Sequence, residues 1–404
     1  MTLPPLSPAQ RVKPPGFELR VSLIYAAVYA PLGVHLPYFP LWLEANGFDA
    51  AQIAVILSAP MFLRVLTTPL VTAAADKARD RLDVFTVVAV VALAASLGYF
   101  LPPAYLLVLC VSIVLALFWT PQGPLADSLA LSGMRRWKSD YASMRIWGSI
   151  AFLVANFAGG AVISAVGARA VPWMISVGLG AVLVAVLAGP RIGRPRVATP
   201  GSAAMLPAAA SNLFERRFLF FVAGAGFVNA SHALVYGFSA IYWTTLGIDA
   251  GMTGALWAFS VICEVVVFGL YRRVFGRLSP GMLLVAAGAV AALRWALFPF
   301  VWASGAGVAG FFAIQALHAF STGFLLIGVQ MMIAEVVPEE RTGAAQGVAF
   351  FANGLTMAAA TLASGPLYAA YGVNGFLAMA LIAVAGTVLV AFSLRSSPKL
   401  GAGG

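Results

Sequence analysis

The sequence predicts an all-α membrane protein of twelve spanning helices in two six-helix bundles, with both termini cytoplasmic. Three observations carry this: composition, a series of apolar runs long enough to cross a bilayer, and the placement of Lys and Arg. Of 404 residues, 61% are hydrophobic and 9% are charged, against about 45–50% and about 25% in an ordinary soluble domain. Fourteen acids and twenty-four bases cannot coat a soluble surface of this size. A cytosolic enzyme, a secreted disulfide scaffold and a disordered chain are excluded. Cys110 and Cys263 lie in apolar runs and suggest neither a disulfide framework nor a zinc site. The first seventeen residues lack an apolar core and are too rich in proline for a signal peptide.

A span needs roughly 20 mainly apolar residues. Such runs fall near 20–45, 50–74, 83–101, 104–132, 140–166 and 171–189, and again near 217–245, 251–271, 280–300, 306–336, 341–371 and 374–394. Charges or Pro/Gly punctuation, such as Leu101-Pro102-Pro103 and Gly372-Val373-Asn374, separate them. With the N-terminus inside, 21 of the 24 Lys and Arg residues lie on inside segments, which fixes the orientation by the positive-inside rule. Arg169 alone falls outside, while Arg64 and Arg294 fall within spans. The net charge of +10 is then membrane bias, and nucleic acid is not an expected partner.

The expected organisation is a tail at 1–19, a bundle at 20–189, a linker at 190–216, a second bundle at 217–394 and a tail at 395–404. The linker is rich in Pro, Gly, Ala and Arg. A weak repeat supports duplication: Gly47-Phe48-Asp49-Ala50 recurs as Gly247-Ile248-Asp249-Ala250, each Gly five residues after an aromatic, Trp42 or Tyr242. Ala151-Phe152 with Asn156 echoes Ala349-Phe350 with Asn353. Duplicated six-helix halves are the architecture of alternating-access transporters.

Charges within spans survive only when paired or facing a watery cavity. Six positions qualify: Arg64, Asp127 and Arg145 in the first half, and Glu264, Arg294 and His318 in the second. Mutual neutralisation across a cleft is the expectation. The competing readings are snorkelling for Arg145, a surface position for Asp127, a structural ion pair for Arg64 and Arg294, and a helix-to-helix hydrogen bond for His318. Pro37, Pro40, Pro60, Pro69, Pro121 and Pro124 are positioned to kink their helices. Aromatics in the charged spans, among them Trp147 and Phe152, could stack on a ligand, with an interfacial aromatic belt as the alternative. The chain has no nucleophile–base set, no metal cluster among its three dispersed histidines and no Walker-type loop. Neither an enzyme nor an ATP-driven pump is expected, and no cofactor is expected beyond the proton as coupling ion.

The run Pro37-Tyr38-Phe39-Pro40-Leu41-Trp42-Leu43, with Asp127, Arg145, Trp147-Gly148 and Phe152, resembles the lactose permease branch of the major facilitator superfamily. So do Glu264, Arg294 and Leu317-His318 followed by Phe324-Leu325-Leu326. The resemblance implies substrate contacts at Asp127, Arg145, Trp147 and Phe152, and proton coupling at Glu264, His318 and Arg294. Several charges of that branch are absent: Ser321 stands for the proton-carrying glutamate, Gln315 for a lysine, Tyr236 for an aspartate, and Ala233 with Asn353 for an acid–lysine pair. The stretch His232–Trp243 (HALVYGFSAIYW), Arg64 and Arg145-Ile146-Trp147-Gly148-Ser149 resemble the 3-phenylpropionic acid permease-like transporters. That resemblance implies proton symport of an aromatic carboxylic acid, with Arg64 as a further carboxylate partner. The alternatives are symport of a galactoside-type sugar or a nucleoside, and proton-antiport efflux of drugs or metabolites. A functional monomer in the bacterial inner membrane, with small-molecule substrate, protons and lipid as its partners, completes the expectation. The Asp76–Arg81 loop reads as solvated charges, with a latch through Asp76 as the alternative.

Overall fold

The computed structural model describes residues 12–193, 215–337 and 342–395, and the described chain is helix, turn and loop with no strand. Residues 194–214 of the expected linker, and 1–11 and 396–404 of the expected tails, lie outside the described residues. In chain order the first half comprises α1 (Phe17–Ala45), α2 (Ala50–Lys77), α3 (Arg81–Ser96), α4 (Tyr105–Trp119), α5 (Gln122–Trp137), α6 (Tyr141–Val166) and α7 (Ala170–Leu187). The second half comprises α8 (Arg216–Ala230), α9 (Ala233–Thr245), α10 (Ala250–Val274), α11 (Pro280–Leu297), the short α12 (Phe300–Ala303), α13 (Gly307–Ala316), α14 (His318–Val336), α15 (Thr342–Tyr371) and α16 (Phe376–Arg395). These make twelve spans, because α4–α5, α8–α9 and α13–α14 each form one apolar stretch, while the 51-residue stretch Ala345–Arg395 holds both α15 and α16.

Most of the helices carry apolar residues on exposed as well as buried faces. In α7, Ile175, Leu179 and Val182 are buried while Val177 and Val184 are exposed, as expected where lipid is the outer solvent. The first span of each half packs mainly on that half's fifth and sixth spans: α1 on α6 and α7, α8 on α15 and α16. The third span packs on the fourth and sixth in both halves, α3 on α4 and α7, α11 on α14 and α16.

The duplicated tetrapeptide forms the same turn twice. Gly47 and Gly247 are left-handed, at φ 84° and 78°, a region glycine enters without steric cost. The amides of Gly47 and Phe48 donate to the carbonyls of Glu44 and Leu43, and those of Gly247 and Ile248 to Thr244 and Trp243. Asp49 then accepts from the Gln52 amide and Asp249 from the Met252 amide, both at 2.8 Å, capping the helix that follows. The second echo is not matched in environment: Asn156 is buried and Asn353 exposed.

The fourth, seventh and tenth spans are broken, each for an identifiable reason. Pro121 ends the fourth-span segment that Thr120 caps. No proline marks the other two breaks. At the second, the Ser231 hydroxyl donates to Val228 O at 2.7 Å, and Nδ1 of His232 lies 3.2 Å from both Val228 O and Asn229 O. Side chains there take carbonyls that the helix would use. At the third, Nε of Arg294 donates to Ile314 O at 3.0 Å, occupying the acceptor that the His318 amide would use in an unbroken α-helix.

The chain divides into two compact units, Met1–Met205 with Trp243–Ala255, and Leu206–Tyr242 with Leu256–Gly404. Within the first unit, Tyr38 donates to Asn156 O at 2.9 Å and to Ala250 O at 3.3 Å. The Gly251 amide donates to the Ser164 hydroxyl at 3.0 Å.

The loop before α3 corrects a second expectation. Asp80 is 6% exposed and accepts from the amides of Leu82 and Gly193, both at 2.9 Å. Arg81 donates to the Ser132 hydroxyl at 2.7 Å and to Ser128 O at 3.2 Å. These charges are structural: Asp80 ties the start of α3 to the segment after α7 and Arg81 ties it to α5, because a buried carboxylate is tolerated once its lone pairs are met. The Asp76 side chain lies outside the described residues. Asp80→Ala is expected to cost about 1–3 kcal/mol, since it removes a helix cap and a tertiary acceptor. Thermal unfolding of the purified protein checks this, and an unchanged midpoint would show the bonds to be dispensable.

Candidate functional site

In the first unit, polar chemistry converges from α1, α5 and α6. Asp127 accepts from the Tyr25 hydroxyl at 2.6 Å and from the Tyr141 hydroxyl at 3.0 Å. Both phenols bond the same oxygen, Oδ1. Arg145 makes no ion pair with Asp127. Its guanidinium lies 4.2 Å from the Tyr29 ring centroid and 5.5 Å from that of Tyr25, held by cation–π attraction. Tyr25 and Tyr29 are one helical turn apart and so share a face of α1. The result is a carboxylate and a guanidinium bridged by a phenol ring, each retaining hydrogen-bonding capacity.

Other sequence-predicted residues stand apart from this constellation. Trp147 is 50% exposed. Phe152 is half-buried, and the rings over Arg145 are tyrosines of α1. Asn156, one turn beyond Phe152, is fully buried, and both its amide nitrogen and oxygen lack a hydrogen-bond partner among the described residues. Arg64, on α2, is half-buried and forms no ion pair among the described residues.

In the second unit, Glu264 of α10, Arg294 of α11 and His318 of α14 do come together. Oε2 of Glu264 lies 3.4 Å from Nε2 of His318, and NH1 of Arg294 lies 3.1 Å from Nδ1. A guanidinium can only donate, so Nδ1 of His318 is the acceptor and Nε2 carries the proton that faces Glu264. Arg294 is 1% exposed and pairs directly with no acid among the described residues. Two further donors go to Ile314 O and the side-chain oxygen of Gln315, and its guanidinium lies 4.3 Å from the Trp295 ring centroid. Gln315 is fixed in turn, donating to Leu256 O at 3.2 Å.

Mutual neutralisation of six charges is therefore not how either unit is built. Within the first unit neither arginine reaches an acid. Within the second, one acid faces one imidazole, and the arginine is held by neutral acceptors. Neutral acceptors satisfy the donors of a buried guanidinium while leaving its charge uncompensated.

The comparisons with known proteins agree with this architecture. Residues 18–378 match the family described as the MFS_1 like family. The chain belongs to that family of the major facilitator superfamily. It is a multi-pass membrane transporter. A probable 3-phenylpropionic acid transporter of Escherichia coli (strain K12) is 26% identical over 364 residues, covering 90% of this chain and 94% of that protein. A maltose permease of Geobacillus stearothermophilus is 25% identical over 279 residues, covering 68% of each. Both relatives are bacterial, in keeping with a bacterial inner-membrane protein. Among solved structures, the nucleoside transporter NupG superposes with a TM-score of 0.76 at 15% identity, covering 94% of this chain and 98% of that one. At that identity the likeness concerns the fold.

Sequence reasoning overlooked Tyr25, Tyr29 and His232. The tyrosines carry a usable signal, an i, i+4 aromatic pair in a span whose neighbours bear charges. His232 lies inside the stretch that carries one of the family resemblances, and it sits where its span breaks.

Proposed function

We propose that this transporter carries out proton-coupled symport of a small ring-bearing solute recognised through its hydroxyl groups, of the sugar or nucleoside class. The observation that carries this reading is the geometry of Asp127. Both tyrosines occupy Oδ1, so Oδ2 is available to accept a substrate hydroxyl, and the Arg145 guanidinium beside it can donate to a second one. A carboxylate substrate at that position would instead meet the Asp127 charge. Glu264, His318 and Arg294 are the proton-linked residues of this reading. With Glu264 ionised the three groups sum to zero, and with a proton on Glu264 they sum to +1.

A second reading, symport of an aromatic carboxylic acid such as 3-phenylpropionate, is favoured by Arg64, which lacks an ion pair among the described residues, and by the Escherichia coli relative. A guanidinium takes a carboxylate through two parallel hydrogen bonds, and Trp147 or Phe152 would supply apolar contact to a phenyl ring. De-energised cells in weakly buffered medium separate the readings. Uridine or a galactoside is expected to alkalinise the medium in cells expressing the protein, and not in empty-vector cells. Alkalinisation by 3-phenylpropionate alone would transfer the assignment to the aromatic acid, and acidification would indicate antiport.

Asp127→Asn sharpens the choice. Loss of a charge-assisted hydrogen bond costs about 1.5–3 kcal/mol, so the KM for a hydroxylated substrate is expected to rise about 10- to 150-fold. An unchanged or lower KM would favour the anionic substrate.

A further inference from the structure

We infer that His232 and His318 share one proton across the Thr322 hydroxyl, which makes His232 a second imidazole on the proton path. The inference rests on the proposed coupling role of Glu264 and extends it to the seventh span. His232 belongs to the second unit together with every group it faces.

The geometry is a chain of proton-carrying atoms. Oγ1 of Thr322 lies 3.3 Å from Nδ1 of His318 and 3.4 Å from Nε2 of His232. His318 continues through Nε2 to Oε2 of Glu264 at 3.4 Å. Nδ1 of His232 faces two carbonyls, Val228 O and Asn229 O, which only accept, so this nitrogen carries the proton in the neutral ring. Nε2 of His232 is then the free acceptor, and it points at the two hydroxyls of Thr322 and Ser321, the latter at 3.2 Å. His232 is 1% exposed, and its ring lies edge-on to Trp295 with centroids 5.0 Å apart. The titratable and charged groups around it are His318, Glu264, Arg294 and Tyr236, whose ring centroid is 6.0 Å away.

A histidine that only held the helix break would need its Nδ1 contacts and nothing at Nε2. Here Nε2 meets two hydroxyls, and one of them also reaches the second imidazole. Ser321 adds a seat for the protonated ring: its hydroxyl lies 3.3 Å from His318 O as donor, which leaves its oxygen to accept from a proton on Nε2.

The transfer balances. A proton leaves Nε2 of His232 for Oγ1 of Thr322, while the Thr322 proton passes to Nδ1 of His318 and the Nε2 proton of His318 passes to Glu264. His232 ends neutral, Glu264 ends protonated, and His318 has exchanged tautomers. Its new Nδ1–H then faces the Arg294 NH1 donor, so the shared proton favours the His232 side until Glu264 gives its proton up.

The test uses the full-length protein with ¹⁵N-labelled histidine in lipid nanodiscs, followed by NMR during a pH titration. The chain has three histidines, so His→Gln variants assign every signal. The expected result is a neutral Nδ1–H tautomer at His232 and Nε2–H at His318, with both signals moving at one common midpoint on acidification. Thr322→Val should separate the two midpoints by about one pH unit or more, and Thr322→Ser should restore the common value. If Thr322→Val fails to fold, His318→Gln is read instead, and it should displace the His232 midpoint. The inference is overturned if His232 does not move between about pH 5 and 9, or if Thr322→Val leaves the midpoint common. The measurement needs neither substrate nor gradient, so its failure would leave the coupling role of Glu264 intact, and failure of that role would be seen separately in transport.

Discussion

Glu264→Gln is expected to abolish proton-driven accumulation while sparing substrate exchange. Gln has the shape of Glu and can still accept from Nε2 of His318 at the position where that nitrogen stands 3.4 Å from the carboxylate. It cannot gain or lose a proton, so the cluster with Arg294 stays in one charge state. Exchange requires the binding site to face each side in turn with substrate bound, and no net proton movement. Accumulation requires the proton. For one proton per substrate, a potential of 100 mV supplies about 2.3 kcal/mol, a concentration ratio of about fifty-fold. The variant should fall to a ratio of about one, with counterflow unchanged. Retained accumulation would remove Glu264 from the coupling role and place the proton on another group.

Gly386→Ala is expected to destabilise the second unit severely, although it adds a single methyl group. The added carbon would sit 2.7 Å from Gly224 O and 2.8 Å from the Val228 amide nitrogen. The contact is reciprocal, since a side chain at Gly224 would lie 2.7 Å from Gly386 O. Two glycines let α8 and α16 approach through their backbones, the usual basis of tight helix pairs in lipid. No rotamer change relieves a clash with backbone, so the cost should reach or exceed the upper end of the about 1–3 kcal/mol seen for overpacked cores. Gly180→Ala in α7 is the control. Nothing lies within 4 Å of its added carbon, so helix propensity alone predicts a gain of about 0.8–1 kcal/mol. Thermal unfolding of both variants in detergent decides the matter, and similar midpoints would show that α8 and α16 can part without cost.

These two outcomes also mark how far the sequence could be read. The spans were legible because lipid imposes length and apolarity on every helix, so runs such as 171–189 needed no tertiary information. The repeated turn was legible too: a left-handed glycine followed by a capping aspartate is local chemistry, and Gly47 and Gly247 carry it in their own neighbourhoods. The breaks at Ser231–His232 and Leu317 were not legible. They depend on side chains capturing carbonyls, in one case an arginine from a different span. Which acceptors hold the arginines within each unit was not legible for the same reason. A guanidinium can be held by a carbonyl, a glutamine and an imidazole, and only the folded chain shows which acceptors lie within reach. The tyrosines around Arg145 went unnoticed because an aromatic in a span usually faces lipid or marks the membrane interface. Phe152, chosen by family resemblance, remains a candidate for substrate contact.

The carbonyls taken at the helix breaks carry a mechanical consequence. Nδ1 of His232 holds the joint of the seventh span, and Nε of Arg294 holds that of the tenth. Each of these side chains also touches His318 or its bridging hydroxyl through another nitrogen. On the proton-sharing proposed above, one ring or one guanidinium would grip a backbone bend with one atom and answer to a proton with another. Charge and curvature in these two spans would then be adjusted together. On that proposal, a cell that shifts the proton balance across this membrane would load the bends directly, with no lever or linker in between.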